Sequence, residues 1–281
     1  MTRTAALLLL GALAACHDEP QNTAPQRTGP PVVYTTFFPT TAFTQRIAGD
    51  LVEVVCPLPD DADPITWKPT TEQIRDYQDA DLIVLNGARF EQWPLTTSLP
   101  ENRVVHTAAR FRPEWLEYKK SMKHTHGPSG EHAHEGIDGH TWVDPVLARR
   151  QAAEIRDALL RLLPDHEAKI QENYAALAKD FDDLEARFRA VPTDEVILCS
   201  HPAWNYPARR FGWKIVVFEP GAPGLEMLNG GVALWEGEPD PEELRRLTMP
   251  SIKFDPCESG GGDYFERMRA NLDRLTAALE G

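Results

Sequence analysis

Cysteine is scarce in this chain of 281 residues: Cys16, Cys56, Cys199 and Cys257 are the whole supply. In an oxidising exported setting the three after Cys16 allow at most one intramolecular disulfide, so no disulfide framework underlies the fold. Basic residues are also short, 29 against 43 acidic, for a net charge of -14. That balance argues against nucleic acid and suits cationic ligands. Beyond the first sixteen residues no apolar run is long enough to cross a bilayer. The chain has neither a His-Glu-x-x-His phrase nor a Gly-x-Ser-x-Gly elbow, which removes the commonest zinc-hydrolase and serine-hydrolase chemistries; no enzyme activity is expected.

What is present begins with MTRTAALLLLGALAAC. One positive charge at Arg3, a short apolar core and small residues before a cysteine describe an export signal over 1–16. Leu13-Ala14-Ala15-Cys16 looks like a bacterial lipoprotein signal, with cleavage before Cys16 and lipid on its thiol. Residues 17–31 lack apolar periodicity and read as a flexible tether. The expected location is extracytoplasmic and lipid-anchored, in the periplasm or on the outer face of the cell membrane.

Five of the nine histidines lie between 124 and 145, in HTHGPSGEHAHEGIDGHTWVDP. Imidazole binds borderline divalent ions at neutral pH, and His124, His126, His132 and His134 form two His-x-His pairs. This stretch, 121–139, reads as a metal-collecting loop that runs into a ligand position at His140.

Strands and helices alternate along the remaining chain. Val32–Phe38, Val52–Val55, Leu82–Leu85 and Val104–Val105 read as strands. Pro39 suits the first turn of a helix through Ile47, and Thr70 with Gln73 forms a capping box for a helix to about Gln78. Pro145–Leu163 reads as a helix. Ile170, Tyr174, Leu177, Phe181, Leu184 and Phe188 then mark one apolar stripe on a helix of about 25 residues, about 37 Å long. Val196–Cys199, Ile215–Phe218, Val232–Trp235 and Ile252–Phe254 follow as strands, and Phe265, Met268, Leu272, Leu275 and Leu279 mark a closing amphipathic helix. The pattern predicts an α/β fold of mostly parallel sheet flanked by helices. Its parts are an N-terminal lobe over 32–164, a linking helix over 165–190 and a C-terminal lobe over 191–281.

Ligands of such sheets gather at the carboxyl ends of strands. His201 follows one strand and Asp255 another, and His140 precedes a helix. Two imidazoles and a carboxylate suit zinc, manganese or iron. Trp142, Trp204 and Trp235 read as packing residues, and Lys119-Lys120 and Arg245-Arg246 as solvated faces.

Several phrases occur in a telling order: Val-Glu-Val-Val at 52–55, Ala62-Asp63-Pro64 with Trp67-Lys68-Pro69-Thr70, Ala80-Asp81-Leu82-Ile83-Val84-Leu85-Asn86-Gly87 with Phe90-Glu91-Gln92-Trp93, His140-Thr141-Trp142-Val143-Asp144-Pro145, Ser200-His201-Pro202-Ala203-Trp204, and Phe254-Asp255-Pro256 ahead of Met268-Arg269-Ala270-Asn271. Together they resemble the zinc and manganese substrate-binding proteins of bacterial ABC importers (cluster A-I), over about Val32 to Leu279. The resemblance implies two pseudo-symmetric lobes joined by a rigid helix, with the ion held between them. It also implies a monomer that hands its ion to a membrane permease.

Carried over, the family's ligands fall on His140, His201 and Asp255, and a fourth falls on Ile65, which cannot bind metal. Cys56, Asp63 and Glu91 are conceivable replacements. The stretch from Phe218 to Val232 lacks the helix the family carries there, so the C-terminal lobe looks trimmed. The expected cargo is zinc, with manganese and copper behind it. Because of Ile65, a metal chaperone, a sensor or a binder of another ion on the same fold is the rival reading, and an adhesin a weaker one.

Overall fold

The computed structural model describes residues 29–118, 122–125, 131–134, 136–192, 194–227, 229–239 and 241–281, with backbone alone at 122–125, 131–134 and 225. The expected signal peptide, Cys16, most of the tether, Lys119-Lys120 and His126 lie outside them. Among the described residues no helix is long and apolar enough to cross a membrane.

The N-terminal lobe is built from β1 (Val32–Thr35), α1 (Phe38–Ala48), β2 (Glu53–Val55), α2 (Thr71–Asp79), β3 (Leu82–Leu85) and β4 (Val104–His106). Its four strands are all parallel in the order β2-β1-β3-β4. All four residues of β3 are buried, as a central strand covered on both faces requires. Pro39 sits in the first turn of α1, and the Thr70–Gln73 capping box closes in both directions at the start of α2. Between the lobes' main elements run β5 (Leu116–Glu117), β6 (Met122–Thr125), β7 (Glu131–His134) and β8 (Ile137–Asp138). Within the histidine-rich stretch, expected as a loop, the described segments β6 and β7 pair antiparallel, on a stem in which β5 pairs with β8.

Helix α3 (Pro145–Leu162) is capped by Asp144, whose Oδ1 accepts from the amides of Val146 and Leu147. A short turn, Pro164–His166, leads to α4 (Glu167–Ala190), 24 residues and about 36 Å long. Its stripe meets both lobes. Phe181 lies 5.2 Å from Phe43 of α1 and 4.9 Å from Phe265, while Phe188 stacks on Phe211 and Trp213. The largest apolar cluster therefore includes residues of both lobes.

The C-terminal lobe follows with β9 (Val196–Cys199), α5 (Asn205–Phe211), β10 (Lys214–Val217), β11 (Val232–Trp235), α6 (Pro241–Arg246), β12 (Ser251–Lys253) and α7 (Tyr264–Glu280). Its sheet is again parallel and repeats the first lobe's order, β10-β9-β11-β12. Between β10 and β11 the described residues hold only the three-residue turn Leu225–Met227, which is the trimming expected. Cys56, Cys199 and Cys257 are all free thiols. Trp142, Trp204 and Trp235 are buried packing residues.

Candidate metal centre

His140 reaches the centre from the loop between β8 and α3. Gly139 makes that path possible: a Cβ there would stand 2.7 Å from Cβ of Phe90, so only glycine lets the loop pass against this ring. The Gly139 carbonyl accepts from Nδ2 of Asn86, which belongs to a buried network with Gln151, Thr107 and Thr141. Downstream, Trp142 donates from Nε1 to the carbonyl of Pro256 at 2.7 Å, and Tyr264 donates to the Trp142 carbonyl at 2.6 Å. These two bonds fasten the His140 loop to the opposite lobe.

The imidazole of His140 is fully buried, with Nδ1 2.8 Å from Oδ1 of Asp138 and 3.1 Å from the hydroxyl of Tyr118. Asp138 is itself inaccessible to solvent. It accepts from Tyr118 at 3.0 Å and from Nδ2 of Asn205 at 2.9 Å, while Tyr206 donates to its carbonyl at 2.6 Å. A carboxylate on Nδ1 fixes the ring and turns Nε2 outward, the usual support of a metal-binding histidine. Nε2 then lies 2.9 Å from Oε1 of Glu258.

His201 follows β9 and caps the turn Pro202–Trp204, its Nδ1 accepting from the amide of Ala203 at 3.1 Å. When neutral, this ring carries its proton on Nε2. Its ring stands at 5.0 Å and 85° to that of His140. Ligand atoms of His140, His201 and Glu258, all buried, lie within 4.8 Å of one another, and theirs is the only such group of three or more among the described residues.

Of the three residues expected as ligands, the structure brings His140 and His201 together. Asp255 stands aside. Its Oδ1 accepts from the amide of Cys257 at 2.7 Å and its Oδ2 pairs with Arg267 at 2.5 Å, while its backbone is bracketed by Asn271. It organises the turn in which Cys257 takes a left-handed φ of 63°, and that turn presents Glu258 to the imidazoles. The replacements considered for position 65 are engaged as well. Asp63 accepts from the Ile65 amide and the Thr66 hydroxyl, and Glu91 accepts from Thr36, Asn86 and Gly87. Cys56 lines a cavity shared with Asp60 and Ser259. Between β6 and β7, His124 is paired opposite His132.

A further carboxylate, that of Glu236 just past β11, lies 3.7 Å from Nε2 of His201 through Oε2. Burial and the neighbouring Glu258 hold it well above the ordinary carboxylate range, with His140 opposing. Burial pulls the His140 pKa down, but hydrogen bonds to Asp138 and Glu258 outweigh it and push it up to about 10. The centre therefore concentrates negative potential around two imidazoles, an arrangement suited to a divalent cation. Glu258 and Glu236 escape a reading of sequence alone, although Glu236 occupies the strand-end position that singles out His201 and Asp255.

Known proteins similar to this chain are named for zinc. The chain is 29% identical over 278 residues to the high-affinity zinc uptake system protein ZnuA of Bacillus subtilis, covering 88% of this chain and 87% of that protein. It is 28% identical over 226 residues to the zinc-binding lipoprotein AdcA of Streptococcus pneumoniae, covering 78% of this chain but 45% of AdcA. In fold it is similar to the crystal structure of the Zn(II)-bound ZnuA-like domain of Streptococcus pneumoniae AdcA, with a TM-score of 0.72 at 21% identity over 90% of this chain and 100% of that domain. The model of the family described as zinc-uptake complex component A, periplasmic (ZnuA), matches residues 33–249, and the chain belongs to that family.

Proposed function

We propose that this protein captures a divalent transition ion, zinc first, between its two lobes outside the cytoplasm and hands it to an ABC-type permease, held at the membrane by lipid on Cys16. The family is one of uptake-complex components and not of enzymes. The observation that carries the reading is the buried convergence of His140, His201 and Glu258 from distant parts of the chain. Zinc is favoured over softer or harder ions because imidazole and carboxylate together match a borderline cation. The names of the relatives, a zinc uptake protein and a zinc-binding lipoprotein, support both the cargo and the anchor.

Asp138 holds His140 and the turn around Asp255 holds Glu258, while ligation through Nε2 of His201 moves that ring's proton to Nδ1 and gives up the bond from the Ala203 amide. Uptake of the ion displaces the proton that His140 holds on Nε2, so binding is coupled to proton release.

Zinc, copper and manganese affinities of the body from residue 29 onward, set against a His140→Ala, His201→Ala double variant, test the capture step. Zinc bound more tightly than manganese and lost in the variant is expected, with Cu(II) affinity at or above that of zinc as for any such donor set; manganese bound more tightly than zinc, or zinc retained by the variant, contradicts the reading. Incorporation of labelled fatty acid into the full chain and its loss in Cys16→Ser test the anchor. A zinc-starvation growth defect on deletion tests delivery.

A further inference from the structure

Three donors leave a four-coordinate zinc one short, and isoleucine stands where the family resemblance puts a ligand. Asp63 and Glu91 have both carboxylate oxygens engaged by neighbouring groups, and Cys56 faces a separate cavity lined by Asp60 and Ser259; neither it nor Glu236 is among the three residues already grouped. The sheet supplies another candidate. In the order β10-β9-β11-β12, strand β11 lies between β9, whose end carries His201, and β12, whose following loop carries Glu258. The residue leaving the carboxyl end of β11 is therefore flanked on both sides by members of the cluster, and that residue is Glu236.

We propose that Glu236 is the fourth ligand of the ion, taking the place left vacant by Ile65 and supplying it from the C-terminal lobe. Its Oε2 is already 3.7 Å from Nε2 of His201, and its side chain is 16% exposed. A glutamate has three side-chain torsions with which to close the remaining distance. Charge argues the same way. Asp138 on Nδ1 of His140 and Glu258 on its Nε2 already place two carboxylates at this imidazole, and Glu236 on the His201 side adds an anionic oxygen to the half of the cluster that otherwise has none. Two nitrogens and two oxygens without sulfur match zinc, with manganese next, and disfavour cuprous copper. Three of the four donors then belong to the trimmed lobe and one to the N-terminal lobe.

The inference rests on the capture reading above, and its test separates the two. Zinc affinity by chelator competition and the visible spectrum of the Co(II)-substituted protein are measured for the unaltered chain, Glu236→Gln, Glu236→His and His140→Ala. If Glu236 is a ligand, the isosteric Glu236→Gln weakens zinc at least about tenfold and changes the Co(II) bands. Glu236→His recovers binding, and zinc X-ray absorption of that variant gains a third imidazole. Glu236→Gln with unaltered affinity, or weaker affinity with unaltered Co(II) bands, overturns the assignment, the second outcome making Glu236 a positioning residue only. Zinc retained by His140→Ala overturns the capture reading instead.

Discussion

The two lobes share one sheet order but use their strand ends differently. In the N-terminal lobe the polar residues beyond β1, β3 and β4 bond to one another: Glu91 ties Thr36 to Asn86 and Gly87, and Gln151 ties Asn86 to Thr107. That network builds a floor for the Gly139 carbonyl, so the lobe contributes one candidate donor, His140, from a loop resting on it. In the C-terminal lobe the residues beyond β9, β11 and β12 turn towards the cleft instead, as His201, Glu236 and Glu258. A repeated fold thus divides the work. One lobe ties its strand ends together, and the other turns candidate donors to the cleft.

If that division holds, the largest loss follows from the donor side. Glu258→Ala lowers zinc affinity by at least about a hundredfold, whereas Asp255→Ala, acting through the turn, lowers it less. Chelator competition on both variants checks the ranking; the reverse ranking would return Asp255 to the ion. On the supporting side, Asp138→Ala frees the His140 ring and weakens zinc by about 10- to 100-fold, read by the same titration. Gly139→Ala drives a methyl into Phe90 and costs about 1–3 kcal/mol of stability, visible as a lowered Tm of the metal-free protein.

The effect of pH is more graded. His140 is protonated in the metal-free protein up to about 10, so each proton a zinc ion displaces makes affinity fall about tenfold per unit as pH drops. Calorimetry in two buffers of different ionisation enthalpy measures that release. For the metal-free fold the sign is opposite. The raised pKa of His140 contributes stability in full below its ordinary 6.5, and the contribution is lost as pH rises through about 10. Smallest of all is Arg46→Ala, which removes a half-exposed pair with Asp180 and costs under about 1 kcal/mol.

The frame was legible because its signals are local. Leu82–Leu85 is a continuous apolar run bounded by turn residues, Thr70 and Gln73 mark a helix start, and the stripe from Ile170 to Phe188 has helical spacing. His140 and His201 were legible because they sit in phrases beside strands and helix starts. Glu258 was not, since its direction depends on a left-handed residue, Cys257, and on the carboxylate of Asp255 bonding that residue's amide. Nothing in the local pattern distinguishes the turn-maker from the donor three residues later. The stem of β5 and β8 has two residues a strand, too few to show alternation.

The most direct test is zinc X-ray absorption on the protein with histidines 124, 126, 132 and 134 of the histidine-rich stretch replaced, loaded with one equivalent. The account predicts that zinc stays bound, with two imidazoles and carboxylate oxygen around it. Failure to bind zinc, or scattering from sulfur, would contradict a centre made by His140, His201 and Glu258.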